Sequence, residues 1–164
     1  MGYNTDFEGE FVVTPTLKPE HLAYLVKFSQ TRRTKRNPEM CASLPDPIRE
    51  ATGLPVGIDG GYFVGYNDAI SIISYLMPPI GQPSLSCKWI PNEHGSRIRW
   101  NKTPEFYHYT EWIKYLINNF FIPWGYQLNG EVKWHGGERD DFGIILIENN
   151  NVRSGIGEIT YRYA

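Results

Sequence analysis

The middle of the chain, residues 38–83, limits the possible folds more than any other part of the sequence. Proline removes a backbone donor and glycine favours turns, so long helices and strands are excluded there. We predict an irregular segment, with short pieces such as 62–64 and 70–75, that wraps the core of one domain covering residues 1–164. After Pro38 the segment carries six further prolines and six glycines: Pro45, Pro47, Pro55, Pro78, Pro79, Pro83, Gly53, Gly57, Gly60, Gly61, Gly65 and Gly81.

The composition is that of a folded domain. Apolar residues make up 41% and charged residues 21%, which is enough apolar material for a core and too little charge for disorder. The net charge of −2 gives no general attraction to nucleic acid or to anionic membranes. No apolar run approaches the roughly 18 residues of a membrane span, and no secretory signal is present, so we expect a cytoplasmic protein. Cys41 and Cys87 stand alone and are expected as buried small residues, with no disulfide and no metal site.

The first half predicts one strand and one helix. Residues 10–17 favour a strand that lies at a sheet edge or ends at Pro15, since proline cannot donate to the ladder. Pro19 suits the first position of a helix, and the spacing of the apolar residues predicts a helix over 19–33.

The second half contains several alternating segments. Residues 85–89 and 96–100 alternate apolar with polar side chains, which predicts a β-hairpin. Two more strands are expected over 126–135 and 142–148. A last short strand is suggested by Ile159, Tyr161 and Tyr163. The predicted buried face of the first hairpin consists of Leu85, Cys87, Trp89, Ile98 and Trp100.

A second helix is predicted between these hairpins. Thr103 has the chemistry of an N-cap and Pro104 that of a first helical residue, and apolar side chains recur at helical spacing to about residue 121. The helix should stop at 123–125, where the sequence is Pro-Trp-Gly. The element order predicts an α+β fold, with an antiparallel or mixed sheet and two main helices on one face.

Four cations directly after the first helix are the first candidate site. Arg32, Arg33, Lys35 and Arg36 could clamp phosphates or contact an acidic partner. The alternative is a solvated helix end, where cations complement the helix dipole.

The polar face of the sheet is the second candidate. If the two hairpins are neighbours, five cationic or histidine side chains share one surface, which is a possible nucleic-acid site. The aromatic residues that would stack on bases alternate onto the opposite face, however, and this favours a solvated surface. The residues concerned are Lys88, Arg97, Arg99, Lys133 and His135, together with Gln127 and Glu131.

An acid–base site is the third candidate. His108 and Glu111 are three residues apart on the second helix, and Glu131 follows on the next strand. A histidine beside carboxylates could act as an acid–base pair on a nucleotide-like substrate. No metal-binding, nucleophile or phosphate-loop motif accompanies them, so we predict no metal and no cofactor.

Surplus tyrosines form the fourth candidate. The chain has 11 tyrosines, and several of them do not fall on a predicted buried face. Tyrosine is frequent at interfaces because it offers a large contact area at low entropy cost. Tyr62 and Tyr66, in the segment rich in glycine and tyrosine, are therefore expected to join the four cations in one contact surface.

Several motifs resemble a family of small uncharacterised proteins of bacteriophages and bacterial genomes. The similarity covers almost the whole chain and departs most over 154–164. No activity is established for the family, so it implies a setting: a small accessory protein in the bacterial cytoplasm that binds a host or defence component. The motifs are 2–9 (GYNTDFEG), 31–36 (TRRTKR), 44–50 (LPDPIRE), 61–65 (GYFVG), 79–83 (PIGQP), 87–89 (CKW) and 106–134, which begins FYHY.

The sequence therefore supports one main hypothesis and two alternatives. The main one is a non-enzymatic protein that binds a host or defence protein, or a phosphate-bearing ligand, through the cations and Tyr62 and Tyr66. The alternatives are a small enzyme acting on a nucleotide-like substrate and a nucleic-acid-binding domain that uses the sheet face.

Overall fold

The computed structural model describes residues 2–65 and 69–164, and its centre is a six-stranded antiparallel sheet. Each of these strands pairs with its neighbours in the order β4-β5-β1-β6-β7-β8. A separate two-stranded sheet joins β2 to β3. The strands are β1 Thr5–Thr14, β2 Lys35–Arg36, β3 Ile72–Ser74, β4 Trp89–Pro91, β5 Arg97–Trp100, β6 Gln127–Gly136, β7 Phe142–Glu148 and β8 Asn151–Ile156. The predicted α+β class with an antiparallel sheet is confirmed.

Strand β1 lies in the middle of the sheet. It pairs with β6 along all ten residues and with β5 at Phe11 and Val12. The expectation of an edge strand is therefore wrong, although the strand does end just before Pro15. Because the proline follows the last paired residue, its missing N–H falls outside the ladder. The two predicted hairpins are consequently separated by β1.

The helices lie against one face of the sheet. Burial alternates along the strands, so that Phe11, Leu128 and Val132 point to this covered face. The Tyr109 ring meets the Trp134 ring at 5.6 Å, and the Phe28 ring meets the Trp112 ring at 5.9 Å. The helical segments are α1 Pro19–Gln30, α2 Pro38–Ala42, α3 Pro47–Glu50, a 3₁₀ turn Ile58–Gly60, α4 Tyr109–Leu116, a π-helical turn Ile117–Phe121 and α5 Ile122–Trp124.

The second main helix begins five residues later than predicted, at Tyr109 rather than Pro104. Thr103 does not cap it: its N–H and hydroxyl both donate to Asn101 Oδ1, at 3.0 and 2.6 Å. This local turn competes with helix formation. Phe106 is buried against the Trp89 ring, which draws the chain inward before α4 starts at Tyr109. Tertiary packing thus overrides the capping signal.

The end of this helix agrees with the prediction. Gly125 has a φ of 88°, and the N–H of Tyr126 donates to the carbonyl of Phe121. This geometry closes a helix on a glycine, because a residue with a Cβ adopts such a φ only with strain. The chain then enters β6 at Gln127.

Further boundaries differ from the sequence expectations. The strand predicted over 85–89 is displaced to Trp89–Pro91, and residues 85–88 are not in a strand. Helix α1 stops at Gln30 rather than residue 33, because the N–H of Arg33 donates to the Leu85 carbonyl and the N–H of Lys35 donates to the Met77 carbonyl. The last strand is β8. A turn at Asn149 and Asn150, with φ of 48° and 69°, connects it to β7. Residues 157–164, where a strand was predicted, have no regular structure.

Residues 38–65 and 69–83 are irregular, as predicted, and they are tied to the core. Buried Asp46 Oδ2 accepts hydrogen bonds from Arg49 Nε at 2.7 Å and from the N–H of Val64 at 3.1 Å. Arg49 Nη1 donates to the Leu54 carbonyl at 2.7 Å. This buried network holds distant parts of the Pro/Gly-rich segment together without long secondary structure.

Histidine 21 should make stability depend on pH. The Tyr126 hydroxyl accepts from the N–H of Lys18 and makes a hydrogen bond of 2.7 Å with His21 Nδ1, and the imidazole ring stacks on Trp124. Burial lowers the pKa of His21 below its ordinary value of 6.5. The unfolded chain therefore binds the proton at a higher pH than the folded one, and the free energy of unfolding should fall as the pH drops below 6.5.

Urea unfolding at a series of pH values checks this prediction. His21→Gln should flatten the pH dependence, and His94→Gln, at an exposed position, should leave it unchanged. The same pH dependence in the wild type and in His21→Gln would contradict it.

Candidate functional site

Arg33 is buried, although it was predicted to belong to a surface cluster. Its side chain is 2% exposed. Nη2 donates to the carbonyls of Gly61 and Phe63 at 2.8 and 3.1 Å, and Nε donates to Gln82 Oε1 at 3.3 Å. The guanidinium also lies 4.1 Å from the centre of the Phe28 ring. The arginine therefore joins the end of α1 to the Pro/Gly-rich segment.

Burial has an electrostatic cost for this arginine. Desolvation lowers the pKa of Arg33, and Nη1 is without a hydrogen-bond partner among the described residues. Carbonyl oxygens and an aromatic face compensate for the lost water. The side chain thus has a structural role, and little of it is available to a ligand.

Arg36 is also turned inward. It is 7% exposed, its Nη1 donates to Ser71 Oγ at 2.8 Å, and its guanidinium lies 5.0 Å from the centre of the Phe63 ring. Gly60 approaches it closely: a Cβ at Gly60 would lie 2.8 Å from Arg36 Cβ. The expected surface of four cations is therefore divided, with Arg33 and Arg36 inside the fold.

Arg32 is exposed, and Lys35 is partly exposed. Arg32 Nη2 donates to the Tyr75 carbonyl at 3.2 Å, and Lys35 pairs with Ser74 across the β2–β3 ladder. Both cations consequently lie beside residues 70–80.

Residues 70–80 carry the largest group of exposed apolar side chains among those that the structure describes. Leu76 alone is 82% exposed. No pattern in the sequence predicts this exposure, because an apolar run in a segment that wraps the core is expected to point inward. We call this region the 70–80 surface. It consists of Ile70, Ile73, Tyr75, Leu76, Met77 and Ile80.

A groove of 550 Å³ borders the 70–80 surface. Its lining includes Arg32, Leu76, Pro78, Leu85 and Lys88. Lys88 was expected on the polar face of the sheet, but its Nζ donates to the Pro104 carbonyl at the groove. Apolar and cationic groups therefore occur together along this groove.

A smaller cavity of 210 Å³ is lined in part by Ile80, Tyr62 and Tyr115. The Tyr62 hydroxyl donates to Asn119 Oδ1 at 2.8 Å, and the Tyr115 hydroxyl accepts from Gln82 Nε2 at 3.0 Å. Burial raises the pKa of Tyr115 to about 12, so its hydroxyl stays protonated. Tyr62 is thus a half-buried wall of this cavity. Tyr66, its predicted companion, lies outside the described residues.

The three proposed acid–base residues do not converge. His108 and Glu111 are exposed at the start of α4, in the helical layer. Glu131 alternates with buried Val132 on β6 and therefore lies on the opposite face of the sheet. The sheet therefore separates Glu131 from His108 and Glu111, and the three residues do not form one acid–base site in this structure. No group of three metal-ligating side chains occurs in the described ranges either.

The open face of the sheet, opposite the helices, has mixed charge. Arg97, Arg99, Lys133 and His135 do lie there, with Gln127 and Glu131, by the alternation of the strands. Central strand β1, however, adds a row of carboxylates between the two groups of cations, and Glu10 Oε2 lies 3.9 Å from Arg99 Nη1. This row disfavours a nucleic-acid site, because it repels phosphates. It consists of Asp6, Glu8 and Glu10.

Comparison with known proteins identifies no relative. No protein-family model matches the chain, and neither the curated proteins nor the solved structures contain a match. The resemblance to phage and bacterial proteins therefore stays a prediction from the sequence motifs. In the parts of the chain that the structure describes, no helix is both long and apolar enough to cross a membrane.

The contrast between Arg33 and Arg32 gives a stability prediction. Arg33→Met should lower the free energy of unfolding by at least about 2 kcal/mol, because it leaves the Phe63 carbonyl unpaired in the interior. Arg32→Met, the matched control at an exposed position, should cost less than about 0.5 kcal/mol. Urea unfolding monitored by tryptophan fluorescence measures both values, and equal losses would contradict the assignment.

Proposed function

We propose that this chain is a non-enzymatic binding protein that docks another protein on the 70–80 surface, with Arg32 and Lys35 at its rim. The observation that carries the proposal is the exposure of six large apolar side chains within eleven residues. Large exposed apolar patches on soluble domains mark interaction sites, because water contact with them is unfavourable. The three acid–base candidates are separated, so the geometry favours binding over catalysis.

The backbone under this surface is held in place before any partner arrives. The N–H of Asn37 donates to the Ser71 carbonyl at 2.7 Å, and the N–H of Lys35 donates to the Met77 carbonyl at 2.8 Å. At the far end, the N–H of Ile80 donates to Asp59 Oδ2 at 2.9 Å. A segment that is already ordered loses less conformational entropy on binding, which favours affinity.

The charges indicate the chemistry of the partner. Arg32 and Lys88 line the groove beside Leu76, with Glu105 as the one acidic residue among its described lining residues. A complementary partner has an apolar centre with carboxylates around it, and such a complex weakens as salt screens the rim charges. We favour a protein over a phosphate-bearing ligand, because the inward turn of Arg33 and Arg36 removes two of the four cations that a phosphate clamp would need.

The sequence motifs suggest where to look for this partner. Their resemblance to phage and bacterial proteins favours a host or defence protein in the bacterial cytoplasm. The docking surface follows from the exposed residues alone, so it does not depend on this setting.

Site-specific photo-crosslinking in bacterial cells tests the proposal. A photoreactive amino acid at position 76 should crosslink one abundant protein, whereas the same group at position 122, also exposed and apolar in the wild type, should not. Mass spectrometry then identifies the protein and maps the crosslinked peptide, which should be rich in Asp and Glu. Equal crosslinking from the two positions, or none from position 76, would sink the proposal.

Two substitutions test the surface quantitatively with the purified partner. Leu76→Asp should weaken binding at least about tenfold, because it places a carboxylate in the apolar centre opposite an acidic partner. Arg32→Glu should weaken binding and reduce its salt dependence. Ile122→Asp and Arg139→Glu are matched controls at exposed positions away from the 70–80 surface. Calorimetric titration at two salt concentrations measures all five proteins, and unchanged affinity in Leu76→Asp contradicts the assignment.

A further inference from the structure

We propose that two copies of this chain associate through the free edge of β8, with residues 157–164 of each copy extending the strand pair. The inference concerns a surface separate from the 70–80 surface and does not depend on it. It follows from the two sheet edges, the backbone groups of β8 and the pattern of residues 157–164.

The two edges of the six-stranded sheet are unlike. Edge strand β4 has three residues and ends in Pro91, which cannot donate to a further strand. Edge strand β8 has six residues, Asn151–Ile156, without proline. A long edge strand without proline is a template for pairing with another chain.

The hydrogen bonds of β8 show which backbone groups are free. The N–H of Gly157 donates to the Phe142 carbonyl, so residue 157 directs its backbone groups toward β7. Because these groups alternate along a strand, those of 151, 153 and 155 also face β7. The N–H and C=O groups of Val152, Ser154 and Ile156 therefore point away from the sheet, at its edge.

Residues 157–164 have the composition of a strand but no strand partner within the described chain. Ile159, Tyr161 and Tyr163 alternate with polar residues, which is the pattern of a half-buried strand. Tyr163 is 92% exposed and Ile156, at the end of β8, is 84% exposed. A strand needs a neighbour to satisfy its backbone, which explains why the pattern does not produce one here.

A second copy provides a matching edge. Two β8 strands related by a two-fold axis perpendicular to the sheet pair antiparallel and keep the open faces of the two sheets on the same side. In the register centred on Ile156, the free groups of Ser154 face those of residue 158 of the second copy. Ile159 of one copy then lies opposite Arg153 of the other. Both residues belong to the open face, because residue 153 pairs with Leu146 on that side.

Bulky side chains already occupy this part of the open face within each copy. The Phe142 ring covers Gly157, where an added Cβ would overlap it, and the Ile144 side chain lies against Gly155. The apolar row of β7 is Phe142, Ile144 and Leu146, and all three are partly exposed. Ile159 and Tyr161 of the second copy would extend this row across the interface and bury more of its apolar surface.

Analytical ultracentrifugation over a concentration series tests the dimer. The wild type should be a concentration-dependent dimer. Ser154→Pro removes a donor on the free side of β8 without removing a bond to β7, so it should raise the dissociation constant of the dimer at least about tenfold. Ser154→Ala is the matched control and should dimerise like the wild type.

A second variant keeps the test valid if the proline disturbs folding. Tyr161→Asp combined with Tyr163→Asp changes exposed residues outside regular structure and should weaken the dimer with unchanged circular dichroism. Leu76→Asp should dimerise normally, which separates this interface from the 70–80 surface. A wild type that stays monomeric at every concentration overturns the proposal, as does a dimer that both the Ser154→Pro and the double tyrosine variants leave intact.

Discussion

The burial of Arg33 is the interaction on which the position of the Pro/Gly-rich segment against α1 depends. Its guanidinium joins the end of α1 to the carbonyls of Gly61 and Phe63 and to the Gln82 side chain. These acceptors come from a segment whose described residues form only short helical turns and one short strand. A buried charge with several fixed acceptors is specific in geometry, since displacement of either side leaves polar groups unpaired. The exposed side chains of 70–80 are presented on a backbone that this contact helps to fix.

The central position of β1 determines the character of the sheet surface. It separates the two hairpins and places carboxylates between their cations. The face that could have been a basic nucleic-acid platform is therefore mixed in charge. In the same sheet, β8 lies at one edge. The strand order therefore both disfavours nucleic-acid binding on the open face and leaves β8 with a free edge.

The two proposed interfaces use different physics and can coexist. The 70–80 surface offers apolar side chains with a cationic rim, and its partner is recognised by side-chain contacts and charge. The β8 edge offers backbone donors and acceptors, which any strand of suitable register satisfies. Specificity there therefore comes from the side chains of Ile159 and Tyr161 and from the sheet face on which they lie. The surfaces lie on separate elements, and a dimer would carry two copies of the 70–80 surface, which would increase avidity for a partner with repeated sites.

Local sequence was sufficient wherever neighbouring residues decide the conformation. It determined the start of α1 at Pro19, the end of the long helix near Gly125, the strand pair β6–β7 and the irregular middle, since prolines, glycines and periodicity act over a few residues. It failed at Thr103, where Asn101 and the burial of Phe106 displaced the predicted cap. It also failed where the partner of a residue is distant. Only the tertiary structure decided that Arg33 and Arg36 turn inward while Leu76 turns outward, that β1 is central, and that Glu131 lies apart from His108. The physical reason is that burial and pairing depend on which distant backbone groups and side chains come together, and residue type alone does not specify them.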